Sequence, residues 1–118
     1  MQKIIAYAGP LFTIEYATLT NGSVPGRDFL AQQDPRWQAR VYSLYQKLGD
    51  LGAIQNREQF KKVSDQFWEF KAFQVRMICY FLPGRRVVVT HGFAKKKDAF
   101  DKREIRRAEA IKSEYERI

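Results

Sequence analysis

The sequence predicts a single α+β domain spanning residues 1–118, in which a small, mainly antiparallel sheet is covered by helices. Three observations predict this class. Apolar residues occupy every second position over residues 12–16, which is the period of a strand. A stripe with helical spacing follows over residues 37–51. Three strand-like runs then precede a last amphipathic segment, and 118 residues fit one domain.

The N-terminal quarter contains the first predicted strand and a short helix. The strand covers residues 12–16 and is expected to place one face in the core. Gly9-Pro10 interrupts the chain before it, so residues 4–7 form either a tail or a small extra strand. After a loop of turn-forming residues, Pro25-Gly26 opens the short helix.

A longer helix is predicted to follow. Asp34 supplies an N-cap acceptor, and Pro35 suits the first helical position. Gly49 and Gly52 are expected to mark the end of this helix. Apolar residues recur at alternating spacings of four and three and form one continuous stripe, made of Trp37, Val41, Leu44, Leu48 and Leu51.

The middle of the chain predicts a three-stranded antiparallel meander. A polar segment at residues 56–65 leads to it, with Phe60 and Val63 as expected anchors to the core. Pro83-Gly84 supplies the turn between the last two strands. The run Val87-Val88-Val89 favours a strand that is covered on both faces. The three strands are predicted over residues 67–71, 73–82 and 86–91.

A final helix ends the predicted order. Asp101 is the expected N-cap and Glu104 lies three residues later, as in a capping box. The predicted order is therefore strand, two helices, three-stranded meander and C-terminal helix. The inner face of the last helix is expected to consist of Ile105, Ala108, Ile111 and Tyr115.

Positive charge is concentrated in the C-terminal part of the chain. Residues 71–118 contain 13 Lys and Arg against 6 Asp and Glu, whereas residues 1–70 contain 8 against 7. A one-sided positive field attracts polyanions and speeds encounter with them. Nucleic acid is therefore the first class of partner that the charge pattern favours.

The composition also bears on disulfides, metal sites and membrane association. Cys79 is the only cysteine, so an intrachain disulfide is excluded, and one cysteine with one histidine does not favour a structural zinc site. We expect no metal and no small-molecule cofactor. No apolar run approaches the ~20 residues that a membrane helix needs, and no leader pattern is present. The chain is therefore expected in the cytoplasm, without a membrane partner.

Seven short segments carry a family resemblance by their order and spacing. They are Leu51 to Ile54, Glu69-Phe70-Lys71, Val75-Arg76-Met77, Pro83-Gly84, Thr90-His91-Gly92-Phe93, Lys95-Lys96 and Glu104-Ile105-Arg106-Arg107-Ala108. In these segments the chain resembles the RelE/HigB-like toxins of type II toxin–antitoxin systems, in the phage-derived branch of the RelE/ParE superfamily. The resemblance covers most of the chain and implies the RelE-like fold.

The resemblance also implies a function and partners. Members of this family cleave messenger RNA, commonly in the ribosomal A site, and are neutralised by a cognate antitoxin. The implied partners are therefore mRNA, the ribosome and an antitoxin of the helix-turn-helix type, in a prokaryotic cytoplasm and with the gene either cellular or phage-encoded. Two other functions stay open: a ParE-like gyrase inhibitor, which shares the fold, and an inactive remnant that only binds nucleic acid or antitoxin.

The resemblance places four catalytic candidates. Arg76 is expected to grip phosphate, although a solvated strand face would carry the same charge. His91 has a side chain that suits proton transfer, and the alternative is a ring that packs and hydrogen-bonds locally. Lys95 and Lys96 are expected to stabilise charge on the phosphate, where the alternative is a solvated loop.

Four further residues are expected to bind RNA. Lys71 stands where the family has Arg, which keeps the charge but loses the planar fork for a phosphate. Phe100 lies where several such toxins have Tyr, and it can stack on a base but cannot exchange a proton. Arg86 is either a peripheral contact or a residue that maintains solubility. Lys97 completes the lysine run as a general cation.

Overall fold

The computed structural model describes residues 3–96 and 102–117, and within these ranges six strands form one sheet that three helices cover. The strands are β1 (Ile4–Ala8), β2 (Thr13–Tyr16), β3 (Phe60–Lys62), β4 (Trp68–Ala72), β5 (Val75–Leu82) and β6 (Arg86–Ala94). The helices are α1 (Pro25–Ala31), α2 (Pro35–Leu51) and α3 (Lys102–Glu116). The predicted α+β class is confirmed.

The sheet is mixed, with its strands in the order β1-β2-β6-β5-β4-β3. Strands β2 and β6 run parallel, and the other neighbours are antiparallel. The meander of β4, β5 and β6 is present as the sequence predicted. The parallel pair places the first part of the chain beside β6, so that β6 lies in the middle of the sheet and is buried on both faces.

Each face of the sheet has its own core. Helices α1 and α2 cover one face, where Tyr45, Leu48 and Met77 are buried. Helix α3 covers the other face, where Ala108 and Ile111 pack on the sheet as the sequence predicted. The valine run of β6 is buried on both faces, because successive side chains of a strand point to opposite sides.

Helix α2 follows its predicted start and end. The Asp34 side chain accepts a hydrogen bond of 2.8 Å from the Arg36 backbone N–H, and Gly52 ends the helix with a φ of 79°. Two details differ. Leu51 was predicted in the buried stripe, but it lies on the exposed side of the last turn. Gly49 lies inside the helix, where the loop before β2 packs directly on its backbone.

The predicted element order left one short strand open and missed another. Residues 4–7, left open as a tail or strand, belong to β1, which pairs with β2. The polar segment at residues 56–65 contains β3, whose three residues pair with β4. Strand β5 begins at Val75 because Phe73 lies in the preceding turn, and β6 runs on to Ala94.

Two further expectations concern the last helix and the membrane. Helix α3 is described from Lys102, and the predicted cap residue Asp101 lies outside the described residues, so this cap stays a prediction. Among the helices of the described ranges, none is long and apolar enough to cross a membrane.

Candidate functional site

Four charged side chains lie on the α3 face of the sheet, toward the end formed by the β4–β5 turn. Lys71 of β4 pairs with Arg76 of β5, and Lys61 of β3 pairs with Glu69 of β4. Positions two apart on a strand share a face, so Glu69 and Lys71 point to the same side. We call Lys61, Glu69, Lys71 and Arg76 the charged cluster.

The charged cluster leaves hydrogen-bonding groups unused. The Glu69 side chain is only 3% exposed and lies between Lys61 Nζ, at 4.0 Å, and Arg76 Nε, at 3.9 Å. Both distances are too long for hydrogen bonds. Glu69 Oε2 and Arg76 Nε are buried without a hydrogen-bond partner among the described residues. Buried groups of this kind are rare in native proteins, and each requires an explanation.

The turn between β4 and β5 fixes the guanidinium of Arg76. Its Nη1 donates to the Phe73 carbonyl at 2.6 Å and to the Val75 carbonyl at 3.1 Å. Lys71 Nζ lies 3.8 Å from the carboxylate of Glu58, which is largely exposed. One edge of the guanidinium is therefore held by backbone, while Nε faces the inside of the cluster.

His91 lies on the same face of the sheet but has no exposed surface. The register shifts by one residue at Thr90, which leaves Thr90 without a partner on β5 and pairs His91 with Ile78. Such a bulge re-aims the side chains that follow it. The ring of His91 lies 2.9 Å from Glu104 Oε1 through Nε2 and 3.1 Å from Thr90 Oγ1 through Nδ1.

These contacts define the state of the imidazole. A carboxylate only accepts hydrogen bonds, so Nε2 of His91 carries the proton that it donates to Glu104. Burial, the largest effect, lowers the pKa of His91; Glu104 partly raises it and Arg107 lowers it further. The ring is therefore neutral at pH 7. Its closed surroundings give RNA no direct access in this conformation, and the catalytic assignment of His91 stays a prediction.

The lysine run begins beside the charged cluster. The backbone N–H of Lys95 donates to the Gln74 carbonyl at 2.7 Å, so the chain leaves β6 next to the β4–β5 turn. Lys95 is half-buried and Lys96 is exposed. Two of the expected RNA-binding residues, Lys97 and Phe100, lie outside the described residues.

Arg86 is not part of this arrangement. It begins β6 at the opposite end of the strand, where its Nε and Nη2 donate to the two carboxylate oxygens of Glu15 at 2.8 and 3.0 Å. The Tyr115 hydroxyl also donates to Glu15. Burial raises the pKa of Glu15, but the bonds from Arg86 and Tyr115 outweigh burial and lower it overall. The structure thus gives Arg86 a fold-stabilising ion pair in place of a free phosphate contact.

Three residues of the site were not singled out from the sequence. Glu69 was noted only as part of a motif, although its spacing from Lys71 in a predicted strand gave the signal that they share a face. Lys61 gave no signal, because β3 was not predicted. Glu104 was expected only as part of a capping box, and its contact with His91 depends on how α3 docks.

The arrangement is suited to binding an anion next to a carboxylate. A phosphate oxygen can accept from the unused Nε of Arg76, with Lys61 and Lys71 on the same face of the sheet. Glu69 then supplies a carboxylate beside the bound anion. Within the described ranges, no group of three or more His, Cys, Asp or Glu side chains could hold a metal ion.

A family model matches most of the chain. The family model described as phage derived protein Gp49-like (DUF891) matches residues 28–113, a range that contains the whole charged cluster, His91 and the lysine run. This is a family of RelE/toxin-like proteins associated with the toxins of toxin–antitoxin systems. No curated protein matches the chain.

Proposed function

Because the chain belongs to the family of phage-derived Gp49-like proteins, we propose that it is the toxin of a toxin–antitoxin pair and cleaves mRNA on translating ribosomes. Membership supports a general toxin role and an antitoxin partner. The RNA substrate, the ribosome and the cleavage reaction are the parts that we add, and we also assign the antitoxin to the helix-turn-helix class. The charge pattern supports RNA, since the C-terminal part carries nearly all the excess positive charge.

The observation that carries the proposal is the unused Nε of Arg76. A guanidinium that is held by two backbone carbonyls and faces a carboxylate at 3.9 Å keeps one donor unbonded among the described residues, and an anion reaches this buried Nε when the side chains of the cluster move apart. An RNA phosphate meets this need, because its oxygens accept charge-assisted hydrogen bonds. The charged cluster is therefore suited to an RNA phosphate.

The reaction requires three tasks, and the site offers groups for each. Glu69 accepts the proton of the ribose 2′-hydroxyl, whose oxygen attacks phosphorus. Arg76 and Lys71 stabilise the negative charge that grows on the phosphate. The bond to the 5′-oxygen then breaks, and Lys95 delivers a proton to the leaving oxygen. The products are a 2′,3′-cyclic phosphate and a 5′-hydroxyl.

His91 acts in this scheme as a positioning residue. Its bond to Glu104 attaches the first turn of α3 to β6, beside the point where the lysine run leaves the sheet. Fixing that turn sets the position of α3 relative to β6. Holding groups and substrate in line can itself supply several kcal/mol of a barrier, up to roughly 7–11 in the best cases.

Induction of the protein in bacteria tests the proposal. We expect growth arrest together with new mRNA 5′ ends inside translated codons, detected by mapping transcript ends. If a helix-turn-helix protein is encoded beside this chain, its co-expression should restore growth. Arg76→Ala should relieve the arrest, whereas Arg85→Ala, which removes an exposed charge from the distal hairpin, should not. Arrest with intact transcripts and an SOS response would indicate the gyrase-inhibiting function and contradict the proposal.

A further inference from the structure

We propose that Phe73 and Trp37 form a stacking site for an unpaired RNA base at the β4–β5 turn, across the sheet from the charged cluster. The inference deepens the proposed function, because it names where a base lies when a phosphate occupies the cluster. It assigns binding to two aromatic residues on separate elements, the β4–β5 turn and the first turn of α2. The occupant is single-stranded, since a base inside a duplex presents no free face.

The conformation of Phe73 is the first observation. Its φ is 55°, in the left-handed region that bulky residues seldom adopt. The turn joins the paired residues Ala72 and Val75 through two residues, where Asn or Gly usually supplies a positive φ. Phe73 is also 64% exposed as a residue. Backbone preference and the hydrophobic effect both disfavour Phe at this position, so another role for the ring is required.

The stack with Trp37 is the second observation. The rings of Phe73 and Trp37 lie 4.7 Å apart at an angle of 15°. The guanidinium carbons of Arg36 and Arg40 lie 5.2 and 6.0 Å from the centre of the Trp37 ring. Asp34 pairs with Arg36. Parallel aromatic rings with neighbouring cations form the kind of platform on which unpaired bases stack while the backbone stays neutralised.

Packing alone does not account for the pair. Stacking on Trp37 covers one side of the Phe73 ring, yet the residue as a whole stays 64% exposed. A ring placed there only to protect Trp37 would be expected to lose more of its own surface. The exposed side of Phe73 is the surface that a base can occupy.

Phe73 also joins the platform to the charged cluster. Its carbonyl accepts the 2.6 Å hydrogen bond from Arg76 Nη1, so the turn that carries the ring also holds the phosphate-binding guanidinium. Lys71 lies two residues before Phe73 on the adjoining strand. Because the cluster lies on the α3 face and Trp37 on the α2 face, an RNA strand whose phosphate contacts Arg76 would pass around the β4–β5 turn to place a base on the Phe73 ring. This continuity, together with the positive charge on both sides, favours RNA over an acidic peptide.

A binding experiment with the full chain tests the stacking site. Trp37 and Trp68 are the two tryptophans, so Trp68→Phe leaves Trp37 as the reporter. We expect a uridine decamer to quench Trp37 fluorescence, and an abasic ribose-phosphate decamer to bind without quenching. Phe73→Asn keeps a residue that tolerates positive φ. It should weaken decamer binding about five- to a hundred-fold, the range expected for one lost stacking contact.

Salt dependence and a matched variant separate stacking from charge. The slope of log affinity against log salt concentration is negative. Its magnitude should stay unchanged in Phe73→Asn and decrease by about 0.7 in Lys71→Ala, because only the second change removes a cation. Arg85→Asn is the control, since Arg85 also has a positive φ, of 59°, but lies at the other hairpin. Its decamer affinity and quenching should match those of the parent protein.

The outcomes distinguish this inference from the proposed function. If Phe73→Asn binds the decamer as tightly as the parent, or if the abasic decamer quenches equally, the stacking site is wrong even when mRNA is cut. If the parent binds no decamer at low salt, the inference is also overturned, and a protein occupant is indicated. If stacking is observed but mRNA stays intact in cells, the stacking site stands and the endoribonuclease proposal fails.

Discussion

Glu69 and Arg76 lie 3.9 Å apart, and each keeps a buried polar atom unbonded among the described residues. Glu15 and Arg86, on the same face of the sheet, make two hydrogen bonds to each other. Both ion pairs join a glutamate to an arginine, but only the second pair is joined by hydrogen bonds. A buried group left unbonded costs about 1–3 kcal/mol, so the first pair is expected to lower stability and the second to support it.

Replacing each pair by leucines should reveal this difference. We expect Glu69→Leu/Arg76→Leu to be as stable as the parent or more stable by about 1 kcal/mol, because buried ion pairs can often be replaced without loss. The matched variant Glu15→Leu/Arg86→Leu should lose about 1–3 kcal/mol, since it removes satisfied bonds and leaves the Tyr115 hydroxyl without its acceptor. Urea unfolding measures both. Equal losses in the two variants would contradict the contrast.

The residues of the site could be predicted only in part. Lys71 and Arg76 were predicted on neighbouring strands, and their pairing follows from the short turn between those strands. The pairing of Arg86 with Glu15 spans 71 residues and depends on the parallel contact of β2 with β6, for which the sequence has no local signal. The burial of His91 depends on a one-residue bulge and on the docking of α3.

Helix α3 is attached to the rest of the molecule near both ends. Glu104 in its first turn contacts His91, and Tyr115 in its last turn contacts Glu15. Glu114 also accepts hydrogen bonds from the backbone N–H and the hydroxyl of Thr20, at 2.6 and 2.9 Å. The position of α3 therefore depends on a few specific polar contacts.

The attachment at His91 predicts a pH dependence. Burial lowers the pKa of His91 below the ordinary 6.5, so the unfolded chain binds a proton that the folded chain resists. The free energy of unfolding should therefore fall as pH drops below about 6.5. The carboxylates with lowered pKa, such as Glu15, add losses only below about 4.5.

Because His91 is the only histidine, its titration can be followed without signals from other histidines. NMR titration of its ring protons should give a midpoint below 6.5 in the folded protein, and the unfolding free energy from urea titrations should decline between pH 6.5 and 5. A folded midpoint at or above 6.5, with stability constant over that interval, would show that the ring is not held neutral by burial.

The close packing of the loop between β1 and β2 on helix α2 leads us to expect a loss of stability when Gly9 is substituted. The backbone N–H groups of Leu11 and Phe12 donate to the Gly49 carbonyl at 2.9 and 3.1 Å. A Cβ on Gly9 would lie 2.4 Å from the carbonyl carbon and oxygen of Gly49, and backbone cannot yield as a flexible side chain does. Gly9→Ala should therefore cost about 1–3 kcal/mol in urea unfolding. A variant as stable as the parent would contradict this close contact.

Helices and strands were predicted most accurately where the sequence pattern covers many residues and involves only residues close together in the chain. The cap at Asp34 and the stripe of α2 gave a helix whose start and end were correct. Strand β3 has three residues and exists because β4 pairs with it, so no periodic pattern could show it. Gly49 was expected to mark the end of α2, but it lies inside the helix. The sequence alone does not distinguish a glycine that is required for close packing from one that is required for a turn.

At the scale of the whole molecule, positive charge and the candidate site coincide. Residues 71–118 carry nearly all the excess positive charge, and they include Arg76, the lysine run and α3. Six strands in one sheet join the first and last parts of the described chain. We propose that residues 1–118 act as one domain that presents a cationic surface to RNA and to its antitoxin in turn.

Single-turnover cleavage of a defined mRNA on purified ribosomes tests the central claim, that Arg76 receives the scissile phosphate. Primer extension would measure the rate for the parent protein, for Arg76→Ala and for the control Arg85→Ala. We predict cleavage by the parent, a rate lower by roughly 10²-fold or more for Arg76→Ala, and no change for Arg85→Ala. Equal rates for the parent and Arg76→Ala, with both proteins folded, would contradict the account.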